Sequence, residues 1–120
     1  MEKDFDLRKR FKKYALEILS LYAALPTKTE YQVIGKQLLR SGTSVGAQYR
    51  EGCRAKSSAD MISKFEGALQ ELDETDYWLD LLIEITVNNQ ECITRLLQET
   101  NELIAILTAS VKTIKNRPKK

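Results

Sequence analysis

The chain has 120 residues, of which 42% are hydrophobic and 30% charged, and its formal net charge is +2. This length and composition are typical of a single soluble globular domain, and the low content of glycine and proline, 5 and 2 residues, favours helices over turns. The chain contains no histidine, which excludes Ser-His-Asp and Cys-His catalysis, HExxH zinc sites and EXXH di-iron bundles.

The first predicted helix covers about residues 5–25 and ends before Pro26. Its apolar residues recur in steps of four and three, which is the spacing of one buried helix face. These residues are Leu7, Phe11, Tyr14, Ile18, Leu21 and Leu25.

The second predicted helix covers about residues 30–55, with Thr29 as the N-cap of a capping box that Gln32 closes. Residues at steps of four and three, three of them glycines, form a stripe along this helix, and such a stripe lets another helix come close. That helix is either part of the same chain or part of a second subunit. The stripe consists of Gly35, Leu39, Gly42, Gly46, Tyr49 and Cys53.

The third predicted helix covers about residues 58–87, and Ser57 or Ser58 caps it. Its inward-facing positions are predicted to be Ile62, Phe65, Leu69, Leu72, Leu79, Ile83 and Thr86. Asp76 falls in the same seam, where a buried carboxylate needs a partner.

The end of the third helix is apolar on nearly every side, so we expect a second cover besides its own bundle. Tyr77, Trp78, Leu81 and Ile85 are either a subunit interface or a surface on which bases stack. Their neighbours are apolar and acidic, which favours the interface. Gly35, Leu39, Gly42 and Gly46 of the second helix are further candidates for it.

The fourth predicted helix covers about residues 90–116, and its cap lies in Asn88–Glu91. Its inward positions are Ile93, Leu96, Thr100, Leu103, Leu107, Ser110 or Val111, and Ile114. Four helices of similar length with short connections predict an all-α, antiparallel up-and-down four-helix bundle that forms one domain over residues 1–120.

The charges are unevenly distributed along the chain. Residues 1–64 carry 13 Lys/Arg against 7 Asp/Glu, residues 65–107 carry 1 against 10, and residues 108–120 carry 5 against none. Neighbouring helices either neutralise one another inside the bundle, or basic and acidic patches face different partners.

Two groups of cations are candidates for binding the phosphate backbone of RNA or DNA. They are Lys36, Arg40, Arg50 and Arg54 on one face of the second helix, and Arg8, Lys9, Lys12 and Lys13 on the first. The alternative is that Arg40 and its neighbours pair with the acidic third helix.

The acidic residues of the third helix are Glu66, Glu71, Asp73, Glu74, Asp76 and Asp80. A solvated or ion-paired face is favoured over a metal site, because nothing supplies the remaining ligands. No nucleophile–base pair can be drawn either, so the sequence predicts no enzyme, no metal and no cofactor.

The two cysteines, Cys53 and Cys92, match no metal-binding spacing. No apolar run approaches the roughly 20 residues that cross a bilayer, and the first residues lack the apolar core of a secretory signal. We therefore expect a cytoplasmic protein with two reduced thiols and no membrane contact.

Several motifs together resemble one known family. The segment Gln37–Val45, followed by Glu51-Gly52 and Arg54, is similar to the family pattern QLRRS-x-x-S-(I/V)-x-x-N-x-x-EG-x-x-R, with Gln48 in place of the asparagine. Further similar segments are Met61–Phe65, Ala68–Leu79 and Asn101–Leu107. The family is that of the 23S ribosomal RNA intervening-sequence protein, also called S23-like, and the resemblance extends from about Phe5 to Asn116.

The resemblance implies a left-handed up-and-down bundle that assembles as a homopentamer. The founding members are encoded by insertions in bacterial 23S ribosomal RNA genes. A related branch, the accessory variability proteins of diversity-generating retroelements, binds nucleic acid and assists a reverse transcriptase. This chain is less basic than that branch.

The expected function is therefore that of an oligomeric, non-enzymatic scaffold that binds RNA or DNA. The alternative is a protein-binding adapter whose acidic face recruits a basic partner such as a reverse transcriptase.

Overall fold

The computed structural model describes residues 2–118 and the side chains of residues 6–118. It contains four helices, α1 (Glu2–Ala24), α2 (Thr29–Cys53), α3 (Ser58–Ile85) and α4 (Gln90–Lys115), in a body of 55 × 23 × 19 Å. The helices begin and end within three residues of the expected positions. The predicted all-α four-helix bundle is confirmed.

Contacts between successive helices show that neighbours run antiparallel. Gly35, near the start of α2, lies beside Leu25 at the end of α1, and Gly46 lies beside Phe11. Lys115 at the end of α4 bonds Glu66 near the start of α3. One end of the bundle therefore carries the start of α1 and the end of α2, and the other carries the loops 25–28 and 86–89.

The helix starts agree only in part with the predicted caps. The Ser57 side chain accepts a hydrogen bond from the Asp60 backbone N–H at 3.1 Å, so that prediction is confirmed. The capping box at Thr29 is wrong, because the cap residue is Lys28 and no side chain bonds there. Gln32 is occupied elsewhere: its amide donates to the Pro26 carbonyl, and its oxygen accepts from the Tyr22 hydroxyl.

The start of α4 lies where the sequence predicted it, although its cap uses no side-chain bond. Asn89 adopts the left-handed conformation, with φ of 67°, which asparagine tolerates better than most residues. The side-chain amide of Gln90 instead donates to the carbonyls of Ile83 and Thr86. These bonds satisfy carbonyl groups left free at the end of α3.

The core combines apolar side chains with one layer of hydroxyl groups. Tyr14, Ser41, Thr75 and Thr100, one from each helix, are at most 1% exposed. The Tyr14 and Thr100 oxygens are 2.5 Å apart, and those of Ser41 and Thr75 are 2.8 Å apart. Burial raises the pKa of Tyr14 well above its ordinary value. Each helix thus contributes one buried hydroxyl group to this layer, and each of these groups requires a hydrogen-bond partner.

The face that α3 turns to the core agrees only in part with the predicted one, since Phe65, Leu72, Leu79 and Thr86 are buried as predicted. Ala68, Thr75 and Leu82 are wholly buried, whereas Leu69 and Ile83 are only half-buried. Asp76 lies at the margin and accepts a bond from the Asn101 amide at 3.2 Å. The helix is rotated toward the Thr75 side because a threonine hydroxyl can be satisfied in the core, whereas a carboxylate there loses its hydration.

The inward positions predicted for α4 are confirmed, with Val111 rather than Ser110 in the core. They are Ile93, Leu96, Thr100, Leu103, Leu107, Val111 and Ile114.

Candidate nucleic-acid interface

Arg40, at the centre of the predicted basic stripe on α2, is bound within the chain. Its guanidinium donates to Glu71 at 3.2 Å and to Glu74 at 2.7 Å, both on α3. The sequence left two roles open for Arg40, phosphate binding or pairing with the acidic third helix. The structure shows the pairing. The stripe is interrupted here, and Lys36 is separated from Arg50 by fourteen residues, or about 21 Å of helix.

Arg50 and Arg54, at the end of α2, are exposed and form no ion pair with any described residue. The carboxylate between them in sequence does not neutralise them, because Glu51 pairs with Lys64 of α3 at 3.1 Å. The two arginines are one helical turn apart and point to the same side of α2.

Two cations of α1 lie alongside this end of α2. Phe11 packs directly against Gly46, and a Cβ atom at Gly46 would be 3.2 Å from the Phe11 Cβ. Arg8 and Lys12 lie next to Phe11 on the flank of α1 that faces α2, since the opposite flank carries Arg10, which bonds Glu99 of α4. We call Arg8, Lys12, Arg50 and Arg54 the α1–α2 basic patch.

Within this patch, Lys12 is exposed and Arg8 is half-buried. The Arg8 Nε is shielded from solvent and has no hydrogen-bond partner among the described residues. A shielded donor without an acceptor is costly in free energy. The patch therefore holds positive charge that the described part of the chain leaves uncompensated.

The other predicted cations are placed differently. Lys9 is exposed on the outer side of α1. Lys13 faces α4 and, with Arg95, Glu17 and Cys92, lines an open cavity of about 220 Å³. Lys36 is exposed in the other half of α2. The packing of α1 on α2 and helix geometry thus place four of the eight candidates on neighbouring parts of the two helices, and the rest elsewhere.

The glycine stripe of α2 faces α1 of the same chain. A Cβ atom at Gly35 would be 2.9 Å from both Leu25 and Tyr22, and one at Gly42 would be 2.9 Å from Ile18. Of the two alternatives left by the sequence, the intramolecular one is correct for these glycines. Gly35 and Gly42 are buried inside the monomer and are not available to a partner, which corrects their inclusion in a subunit interface.

The remaining α2 candidates for that interface are also engaged within the chain. Gly46 is half-buried beneath Phe11, and Leu39 is half-buried and packs on the core.

The end of α3 presents an apolar surface, as the sequence predicted. Tyr77 and Ile85 are 56% and 41% exposed, Leu81 is half-buried, and Trp78 packs edge-on to Tyr77 with ring centres 5.1 Å apart. The Trp78 indole N–H has no partner among the described residues.

Two valines that sequence reasoning missed extend this surface. Val33 lies two turns before Arg40 on the side of α2 that faces α3, and it is 59% exposed; Val87, in the loop, is 90% exposed. Neither valine lies on the buried face of a helix, so the hydrophobic periodicity of the sequence does not identify it. The only sign of such a residue is its apolar side chain at an exposed position. We call Val33, Tyr77, Trp78, Leu81, Ile85 and Val87 the α3 apolar patch.

The acidic residues of α3 serve mainly as internal partners. Glu71 and Glu74 bind Arg40, Glu66 binds Lys115, and Asp76 accepts from Asn101. In the described residues, no group of three acidic or thiol side chains is arranged to hold a metal ion. Asp73 and Asp80 remain exposed beside the α3 apolar patch.

Both cysteines are present as free thiols and are half-buried. None of the described helices is long and apolar enough to cross a membrane.

Comparisons with known proteins agree with the motif resemblance. No curated protein matches the chain. The fold is similar to the crystal structure, at 1.70 Å resolution, of a protein with unknown function from the S23 ribosomal protein family of Bacteroides thetaiotaomicron. The two are 37% identical, with a TM-score of 0.81, over 88% of this chain and 97% of the other. The family model described as 23S rRNA-intervening sequence protein matches residues 3–109, and the chain therefore belongs to this family.

Proposed function

We propose that this protein is a non-enzymatic, self-associating scaffold of the cytoplasm that binds nucleic acid through the α1–α2 basic patch. The observation that carries the proposal is the patch itself. Arg50 and Arg54 have no ion-pair partner among the described residues, while Arg10 and Arg40 are each held by two glutamates. Cations without internal partners are available to the phosphates of a ligand.

The binding expected from such a patch is electrostatic and salt-dependent. Each phosphate neutralised on double-stranded DNA releases counterions and contributes about −0.9 to the slope of log K against log salt concentration. Four cations therefore give a slope of about −3.6 for each patch engaged. Repetition of the patch in an oligomer would raise the avidity without any new contact.

Fluorescence anisotropy with short RNA and DNA tests this proposal. The variant R50Q/R54Q removes two patch cations, and we expect the salt slope to fall by about 1.8 units, with a large loss of affinity at low salt. The matched control K28Q/K36Q removes the same charge from exposed positions in the other half of the molecule, and we expect it to leave the slope unchanged. Absence of binding at low salt, or equal losses in both variants, would refute the proposal.

Self-association is proposed to occur through the α3 apolar patch. Exposed contiguous apolar surface of this kind is unusual on a monomer and typical of interfaces, where Tyr and Trp are enriched. The family resemblance gives five as the expected number of copies. Trp78→Asp places a charge in the patch and is expected to reduce the particle mass in light scattering.

Because Trp78 is half-buried, a fold defect must be separated from a lost interface. Tyr77→Asp makes the same change at a position that is 56% exposed, and Leu19→Asp at the 45% exposed Leu19 of α1 is its control. We expect Y77D to dissociate the assembly while L19D leaves it intact, with helical circular dichroism preserved in both. An unchanged mass in Y77D contradicts this interface.

A second candidate function is that of an adapter for a basic protein, such as a reverse transcriptase. It is favoured by Asp73, Asp80 and Glu84, which are exposed around the apolar residues Tyr77 and Ile85. Retention on a polyanion column distinguishes the two functions: a nucleic-acid-binding protein is retained in a salt-sensitive manner, and an adapter that uses only its acidic face is not.

A further inference from the structure

The distribution of aromatic side chains bears on the form of nucleic acid that the α1–α2 basic patch recognises. Proteins that hold single strands combine a basic groove with exposed aromatic rings on which the bases stack. The α1–α2 basic patch has no such ring among the described side chains. Phe11 and Tyr49 lie beneath it, and both are only 1% exposed.

The described aromatic rings at this end of the bundle pack against one another. The Phe11 and Tyr49 ring centres are 4.9 Å apart, and Tyr49 stacks on Phe65 at 5.3 Å with an interplanar angle of 10°. Phe65 is 5% exposed and packs against Gly52. These rings stabilise the core and are not accessible to a base.

Among the described side chains, the aromatic residues that are exposed or half-buried lie far from the patch. Tyr22 and Tyr31 are half-buried at the opposite end of the bundle, beside Gly35 and Ile85. Tyr77 and Trp78 are about 20 Å further along α3 than Phe65, which marks the level of Gly52 and the end of α2. Asp73 and Asp80 flank them on the same helix and would repel phosphate. The exposed aromatic rings of α3 and the α1–α2 basic patch are therefore on separate parts of the bundle, and a base next to a phosphate held by the patch does not reach these rings.

Small residues form the α2 surface that immediately precedes Arg50. Gly46 and Ala47 lie one turn before Arg50 on α2, and neither side chain extends above the helix. Contacts from arginine and lysine to phosphates fix position but carry no sequence information. A surface that binds by charge alone binds most tightly to the ligand with the highest charge density, and a duplex exceeds a single strand in this respect.

We infer that the α1–α2 basic patch binds the phosphate backbone of a nucleic-acid duplex, without base stacking and with little dependence on sequence. This inference rests on the proposed nucleic-acid binding and names its ligand. Recognition is through the backbone, so permuting the base sequence at constant length leaves the affinity nearly unchanged.

The test compares a short duplex with a single strand that contains the same number of nucleotides, at equal salt, by competition against a labelled duplex. We expect the duplex to compete at least about fivefold better and to show the steeper salt slope, about −0.9 against about −0.7 for each phosphate. A single strand carrying 2-aminopurine is expected to show no quenching by stacking on the protein.

The variant F5A removes the aromatic ring of Phe5, whose side chain lies outside those described. We expect this variant to leave the preference for duplex unchanged. Equal or tighter binding of the single strand, quenching of 2-aminopurine, or loss of the preference in F5A would overturn the inference while leaving nucleic-acid binding in place. Failure of both ligands to bind at low salt would instead refute the proposed function.

Discussion

The hydroxyl layer makes a quantitative prediction about stability, centred on Thr75. This side chain donates to the Glu71 carbonyl at 2.7 Å and lies 2.8 Å from the Ser41 oxygen. Because its proton is engaged with Glu71, Thr75 accepts the proton of Ser41. The only other hydrogen bond from Ser41 to a described residue is the long and weak one to the Leu38 carbonyl, at 3.4 Å.

Thr75→Val preserves the shape of the side chain and removes its acceptor, which leaves the wholly buried Ser41 donor poorly satisfied. We expect this variant to lose about 2 kcal/mol of unfolding free energy, because a buried unsatisfied donor costs about 1–3 kcal/mol. Ser41→Ala removes the donor itself, leaves Thr75 bonded to Glu71, and should cost about 1 kcal/mol.

The double variant S41A/T75V should lose about 2 kcal/mol rather than the additive value of about 3, since no unsatisfied donor remains. Denaturant unfolding at one fixed protomer concentration measures all three, because association shifts apparent stability. Thr75→Ser keeps the hydroxyl and serves as the control, for which the coupling to Ser41 should persist. Additivity within about 0.4 kcal/mol, or a T75V cost no larger than that of S41A, would refute the reasoning.

Three further predictions concern single positions. Ser57→Ala should destabilise the protein by about 1 kcal/mol, as expected for loss of a side-chain cap, whereas Thr29→Ala should be nearly neutral; equal effects in thermal unfolding would contradict the assignment of the caps. Gly42→Ala should cost about 1–2 kcal/mol, since its Cβ would lie 2.9 Å from Ile18 and this clash outweighs the better helix propensity of alanine; a stabilised variant would show that α1 and α2 can separate. Stability should also fall as the pH rises above 10.0, the ordinary pKa of tyrosine, because Tyr14 then ionises in the unfolded chain before it does in the folded one, and Tyr14→Phe should weaken that decline in a pH series of unfolding measurements.

The helices of this bundle follow closely from the sequence. The three-and-four spacing of apolar residues predicted the buried faces of α1 and α4, because a helix with one continuous apolar stripe has only one way to bury it. On α3, two adjacent stripes share Phe65, Leu72 and Leu79. Both stripes are apolar enough to form the buried face of the helix. Periodicity alone did not decide between Thr75 and Asp76.

Sequence patterns for helix caps also predicted only part of what the structure shows. Ser57 caps α3 as predicted because its partner, the Asp60 N–H, is local in sequence. Thr29 and Gln32 also match a local sequence pattern, that of a capping box, yet Gln32 bonds Tyr22 of the preceding helix. A side chain with a competing partner elsewhere in the fold does not follow its local pattern.

The candidate nucleic-acid interface was likewise predictable only in part from the sequence. The residue types identified eight cations, but their effective charge depends on what lies across the helix interface. Arg40 is compensated by two glutamates more than thirty residues away in sequence, while Arg50 and Arg54 have no such partner among the described residues.

What the sequence determined by itself was the number, length and amphipathic faces of the helices, because these depend on interactions within a few residues. The tertiary structure decided which apolar stripe of α3 is buried, that the glycines of α2 receive α1 of the same chain, and which cations lie together. Those outcomes depend on side chains that meet across helix interfaces, where shape, charge and hydrogen-bond partners from distant parts of the chain act at the same time.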